Sequence, residues 1–124
     1  MMFVGIDTIE INRIKKSVLR ERFMERVYSE KESALFLNKK NPHESMAGNW
    51  AAKEAFAKAV RTGVRDFSLN EVSILRDELG APYIELTGHA KVLADSLGLD
   101  FSVSITHTKE FASAVVIAFK KQEE

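Results

Sequence analysis

The sequence predicts an α+β domain in which an antiparallel sheet packs with a long central helix. Three observations predict it. An alanine-rich run from about Glu44 to Arg61 contains no proline and one glycine. Between an N-terminal strand and that run, apolar residues recur at helical spacings. The second half alternates with period two between short turns, as hairpins do.

Met2 to Ile11 reads as the first strand, with Phe3, Val4, Ile6, Ile9 and Ile11 as its β-formers. Gly5 allows another backbone to approach closely. Asp7 then interrupts the apolar pattern, as a turn residue or as one acid of a site. From Asn12 to Lys31, Ile14, Val18, Leu19, Phe23 and Val27 recur at helical spacing, with a break expected near Arg20. Ser29 and Glu32 form a capping-box pair that starts a helix through Leu37. Asn38 to Pro42 ends it.

The central helix follows. Trp50 to Ala59 holds five alanines in ten residues, so helix propensity is high. Gly63 is expected to close it as the residue after the C-cap. Glu71 to Arg76 and Tyr83 to Leu86 read as a hairpin across Asp77–Pro82. Thr87 to Leu97 is a short helix capped by Thr87 and stopped by Gly98. From Asp100, Phe101, Val103 and Ile105 share one strand face, with Ser102, Ser104 and Thr106 opposite. His107 to Glu110 make a turn, Phe111 to Phe119 a closing apolar strand, and Lys120 to Glu124 a frayed tail.

Bulk properties narrow the function. The chain has 124 residues, which predicts a single domain over 1–124. Its 45% hydrophobic and 29% charged residues are those of a globular chain with one core. Net charge is zero, so no overall field draws it to nucleic acid or membrane. There is no cysteine, which excludes a disulfide scaffold, a thiolate zinc site and a cysteine nucleophile, and fits a reducing cytoplasm. No apolar run reaches the roughly 20 residues that span a bilayer.

The chemistry-bearing residues are scattered. Trp50, Glu54, Lys58 and Arg61 fall on one side of the central helix, where Glu54 and Lys58 have the order of an ordinary surface ion pair. Small residues on the other sides allow close packing, which would put Glu54 and Lys58 in a cleft suited to a divalent cation and a phosphate. His107, flanked by Thr106 and Thr108, is either a surface histidine or part of a phosphate-binding turn. Asp7, Glu54, Lys58 and His107 together are the parts for magnesium-assisted attack at a phosphate. The Asn12–Lys31 stretch carries seven basic and three acidic residues. It is either a solvated face or a docking surface for an acidic protein.

Three ordered blocks carry a resemblance: Gly5-Ile6-Asp7 followed by Arg13-Ile14, Trp50-Ala51-Ala52-Lys53-Glu54-Ala55, and Ser104-Ile105-Thr106-His107-Thr108. With Phe23–Tyr28 and Gly80-Ala81-Pro82-Tyr83, they resemble the bacterial holo-acyl-carrier-protein synthases, the short class of 4′-phosphopantetheinyl transferase, nearly end to end. The resemblance implies the fold of that class. It also implies an enzyme that transfers the phosphopantetheine arm of coenzyme A to a serine of apo acyl carrier protein, releasing adenosine 3′,5′-bisphosphate, in fatty acid biosynthesis. It implies Asp7 and Glu54 as ligands of Mg2+, and Asp7, Glu54, Lys58 and His107 as catalytic residues. Coenzyme A contacts are implied at Lys53, Lys58, Pro82, Thr106, His107 and Thr108. His107 is placed on a coenzyme A phosphate, with general base as its second role; a carboxylate or a water at the metal is the other candidate base. A homotrimer with sites at subunit interfaces is implied, as is docking of the carrier on Arg13, Lys16, Arg20, Arg22 and Arg26.

Two departures stand out. Thr106 replaces a frequent Ser and keeps its hydroxyl. Asn49 stands where the family often has Arg, leaving either weaker coenzyme A binding or compensation by a residue such as Lys53. The rival to the enzyme is a non-catalytic adaptor that grips acidic carrier proteins through the basic helix, independent of magnesium and coenzyme A.

Overall fold

The structure is a computed structural model and describes residues 1–61 and 66–122. Strand β1 (Met2–Glu10) leads directly into helix α1 (Ile11–Ser17), so Ile11 opens the helix instead of ending the strand. A turn breaks the basic stretch before α2 (Phe23–Val27), as expected near Arg20. Helix α3 (Glu30–Leu37) starts at the predicted capping box: the Ser29 side chain accepts from the Glu32 amide, and Glu32 accepts from the Ser29 amide. Pro42 begins the next helix, where its fixed φ and missing N–H cost nothing. That central helix is α4 (Pro42–Ala59), and Val60 caps it, earlier than the end expected near Gly63. Gly63, the predicted stop, lies outside the described residues.

After the 3-10 turn Leu69–Glu71, β2 (Val72–Arg76) and β3 (Pro82–Leu86) form a two-stranded ribbon. Helix α5 (Gly88–Leu97) follows Thr87, which makes no side-chain cap bond, and ends at Gly98 in the left-handed region (φ 64°). Strands β4 (Leu99–His107) and β5 (Phe111–Lys120) complete a three-stranded antiparallel sheet, ordered β1-β5-β4.

One face of this sheet packs on α4. Phe3, Gly5, Asp7 and Ile9 of β1 share that face with Ala112, Ala114, Val116 and Ala118 of β5 and with Phe101, Val103 and Ile105 of β4. Alanines on both surfaces bring the layers close. The other side of α4 meets α1, α3 and β2, so eleven of its eighteen residues are buried. A helix enclosed in this way has no broad polar stripe. Glu54 and Lys58 are the charged side chains of its second half that are not buried.

Candidate active site

Gly5 positions the site. A Cβ there would sit 1.9 Å from the Ala55 carbonyl oxygen and 2.8 Å from the Ala59 nitrogen, so only glycine lets β1 lie against the backbone of α4. Two residues on, Asp7 points to the same side of the strand and arrives between the turns of α4 that carry Glu54 and Lys58. The Lys58 ammonium donates to the Ile6 carbonyl at 2.9 Å and to Asp7 Oδ1 at 3.3 Å. The surface pair of Glu54 with Lys58 is therefore replaced by an Asp7–Lys58 pair, in which Asp7 is 19% and Lys58 55% exposed.

Glu54 is half-buried, and no hydrogen bond or ion pair engages its carboxylate among the described residues. Burial first, then the charge of Asp7, push its pKa above the ordinary glutamate value, while Lys58 opposes the shift. Two carboxylates that repel one another beside a single lysine are under-neutralised. Such a donor set fits a hard cation that needs few protein ligands.

His107 is placed elsewhere. Its Nδ1 lies 3.0 Å from Glu44 in the first turn of α4. Glu44 and Glu54 are separated by about 15 Å at the helical rise, so His107 does not join Asp7, Glu54 and Lys58 within the chain. His107 instead lines a cleft of about 220 Å³ with Pro82, Glu44, Ser45, Gly48, Arg76, Gly80 and Ile105. Thr106 does not accompany it. Adjacent strand residues face opposite ways, and Thr106 lies on the outer sheet face opposite Ser113. Thr108 uses its hydroxyl to accept from the Glu110 and Phe111 amides, so it serves the β4–β5 turn.

Lys53 needs a correction as a coenzyme A contact. It is fully buried, and its ammonium donates to Glu32 Oε1 at 2.6 Å and to the carbonyls of Leu69 and Val72. An ammonium has three donors, and all three are committed. Burial lowers its pKa, against the attraction of Glu32. Lys53 is thus a structural cation, and it does not replace the arginine missing at position 49. Sequence reasoning also missed Glu32 as a buried counter-ion, and Arg76 and Glu44 as cleft residues. Asn49 and Lys53 sit at helical spacings between Met46 and Phe56, a signal that their side of the helix is core.

Arg13, Lys16, Arg20, Arg22 and Arg26 are all exposed along α1, the following turn and α2. A cleft of about 900 Å³ between α2 and α3 is lined by Met24, Tyr28, Phe36 and Met46 and contains none of the predicted site residues.

The fold and the Asp7–Glu54–Lys58 cluster define a class. Residues 3–116 match the family model described as the 4′-phosphopantetheinyl transferase superfamily, and the chain belongs to that family. More particularly, it is similar to holo-(acyl-carrier-protein) synthases. The one from Alkaliphilus oremlandii is 45% identical over 93% of this chain and 96% of its own length. The one from Caldanaerobacter subterraneus is 41% identical over 94% of each chain. Among solved structures, the Bacillus anthracis synthase in complex with CoA (3′,5′-ADP) superposes with a TM-score of 0.83 at 34% identity, covering 98% of this chain and 100% of that one. The Helicobacter pylori synthase in complex with coenzyme A gives 0.82 at 35% identity, covering 94% and 99%.

Proposed function

We propose that this protein transfers the 4′-phosphopantetheine arm of coenzyme A to a serine hydroxyl of apo acyl carrier protein, activating the carrier for fatty acid biosynthesis. The observation that carries this reading is the meeting of Asp7, Glu54 and Lys58 where β1 touches α4. The serine oxygen forms a bond to the phosphorus that bears the arm. The bond from that phosphorus to the bridging oxygen breaks, the serine proton passes to a base, and adenosine 3′,5′-bisphosphate leaves.

Asp7 and Glu54 would hold a magnesium ion, which when bound neutralises charge on the diphosphate. Lys58 is half-exposed beside them and offsets charge on the departing phosphate. His107 and Pro82 line the cleft in which the nucleotide end of coenzyme A would lie. Arg13, Lys16, Arg20, Arg22 and Arg26 form the surface for the acidic carrier, whose approach they steer.

The subunits assemble as a homotrimer through the outer face of the three-stranded sheet. Val4 and Ile6 on that face are 65% and 63% exposed, and Ile117 lies beside Val4. Thr106 shares the face, so this assembly would return it to a site together with residues of another copy. Light scattering should give three times the chain mass, and Ile6→Glu should give inactive monomers. A fully active monomer would refute the assembly.

The reaction is tested by incubating the protein with coenzyme A, Mg2+ and apo carrier protein. The carrier should gain the mass of one phosphopantetheine. No gain with several carriers rejects the reading.

A further inference from the structure

Asn49 is completely buried and fully committed. Its Nδ2 donates to Glu32 Oε2 at 2.9 Å and to the Ile74 carbonyl at 2.9 Å. With both amide hydrogens used, Oδ1 can only accept, and it accepts from Arg76 Nη2 at 2.9 Å. The other Arg76 contacts are long ones, from Nη1 to the Ile74 and Leu75 carbonyls at 3.4 and 3.3 Å. The guanidinium is half-buried, is held from one side and keeps further N–H donors unspent.

Glu32 attracts it from behind Asn49, but among the described residues no carboxylate touches it. Glu32, buried behind Asn49, pairs with Lys53 at 2.6 Å. Glu44 lines the same cleft but lies against His107 at 3.0 Å. Asp77 follows Arg76 in sequence, yet its Oδ1 accepts the Leu79 and Ala81 amides of the turn. No ion pair to Arg76 forms among the described residues. Desolvating a cation is costly without an anion to receive its donors. Gly80 lines the same cleft, and a Cβ on it would meet nothing within 4 Å.

We infer that Arg76, held by Asn49, is the phosphate-binding cation of the cleft lined by His107 and Pro82, and that it takes a phosphate group of coenzyme A. This rests on the transferase reading above. The cation enters from β2, beside the position where this chain has Asn49 on α4. A planar guanidinium fixed along one edge presents a fork that matches phosphate oxygens. Along α4 the cleft runs from Glu44 to Gly48, about 15 to about 9 Å from Glu54 at the helical rise, and coenzyme A carries phosphate both in its diphosphate and on its ribose.

The test compares wild type with Arg76→Met and Arg76→Lys, using coenzyme A and 3′-dephospho-coenzyme A at saturating carrier, with circular dichroism melts as a fold check. Arg76→Met should raise KM for coenzyme A about tenfold or more, while kcat stays within about twofold. Arg76→Lys keeps the charge but loses the fork, and should fall between. If the ribose phosphate is the one held, the substitution leaves KM for the dephospho form unchanged. If the diphosphate is held, both KM values rise together. Calorimetric titration with adenosine 3′,5′-bisphosphate needs no turnover, so it tests Arg76 even if the transferase reading fails; weaker binding by the folded variants is expected. Unchanged KM for both substrates, or a loss confined to kcat, overturns the inference. Should Arg76→Met fail to fold, unchanged nucleotide affinity in Arg76→Lys overturns it.

Discussion

Gly5 and Ala55 touch backbone to backbone, so closely that a methyl group on Gly5 would sit 1.9 Å from the Ala55 carbonyl oxygen. This contact ties β1 to α4 and thereby sets Asp7 beside Glu54 and Lys58. Gly5→Ala cannot be absorbed by a rotamer change, because the obstacle is helix backbone. It should destabilise the fold by about 3 kcal/mol or more, measured by urea unfolding, and separate the two acids. Wild-type stability in that variant would show that β1 is free to shift.

Lys53 and Glu32 form a buried pair with the Asn49 amide on its second oxygen. Lys53→Met leaves Glu32 buried and unpaired, and should cost about 3–5 kcal/mol. Adding Glu32→Gln should recover much of the loss. Because Lys53 has no donor left for substrate, KM for coenzyme A should stay near wild type wherever the variant remains folded. A raised KM with unaltered stability would restore Lys53 as a nucleotide contact.

Glu54 predicts a pH dependence. Its pKa is raised in the folded chain, so folding favours the protonated form. The associated stability is present below the ordinary glutamate range and is lost as pH rises through the raised value. At pH 7 the metal-free protein therefore bears the cost of an ionised Glu54. Glu54→Gln should melt higher than wild type at pH 7 without metal, with the difference vanishing near pH 4, while abolishing turnover. Equal melting temperatures at both pH values would contradict this account.

The basic surface predicts a separable defect. Arg13→Glu should raise KM for the carrier about tenfold at low salt and leave KM for coenzyme A unchanged. The gap should narrow as salt rises, because exposed charges are screened. Carrier dependence identical to wild type would move docking away from α1.

Much of this was legible in the chain itself. The Ser29–Glu32 spacing announced α3, and the alternation of Phe101, Val103 and Ile105 announced β4. The same alternation, continued one step past Thr106, puts His107 on the inner face, so the separation of these two neighbours was readable. The burial of Lys53 was harder to see. A lysine in an alanine-rich helix looks solvated until its counter-ion is known, and Glu32 comes from a separate helix, where its capping role hid its charge. The Asn49–Arg76 bond joins α4 to β2 and has no local signature. The pairing of Asp7 with Lys58 likewise depends on where β1 lands along α4.

The central claim is that Asp7 and Glu54 hold one cation between them. Mn2+, used in place of Mg2+, can be counted by electron paramagnetic resonance in the presence of coenzyme A. Wild type should bind one ion per chain, and Asp7→Asn and Glu54→Gln, each shown to be folded, should both lose it. Undiminished binding in either variant would contradict the claim.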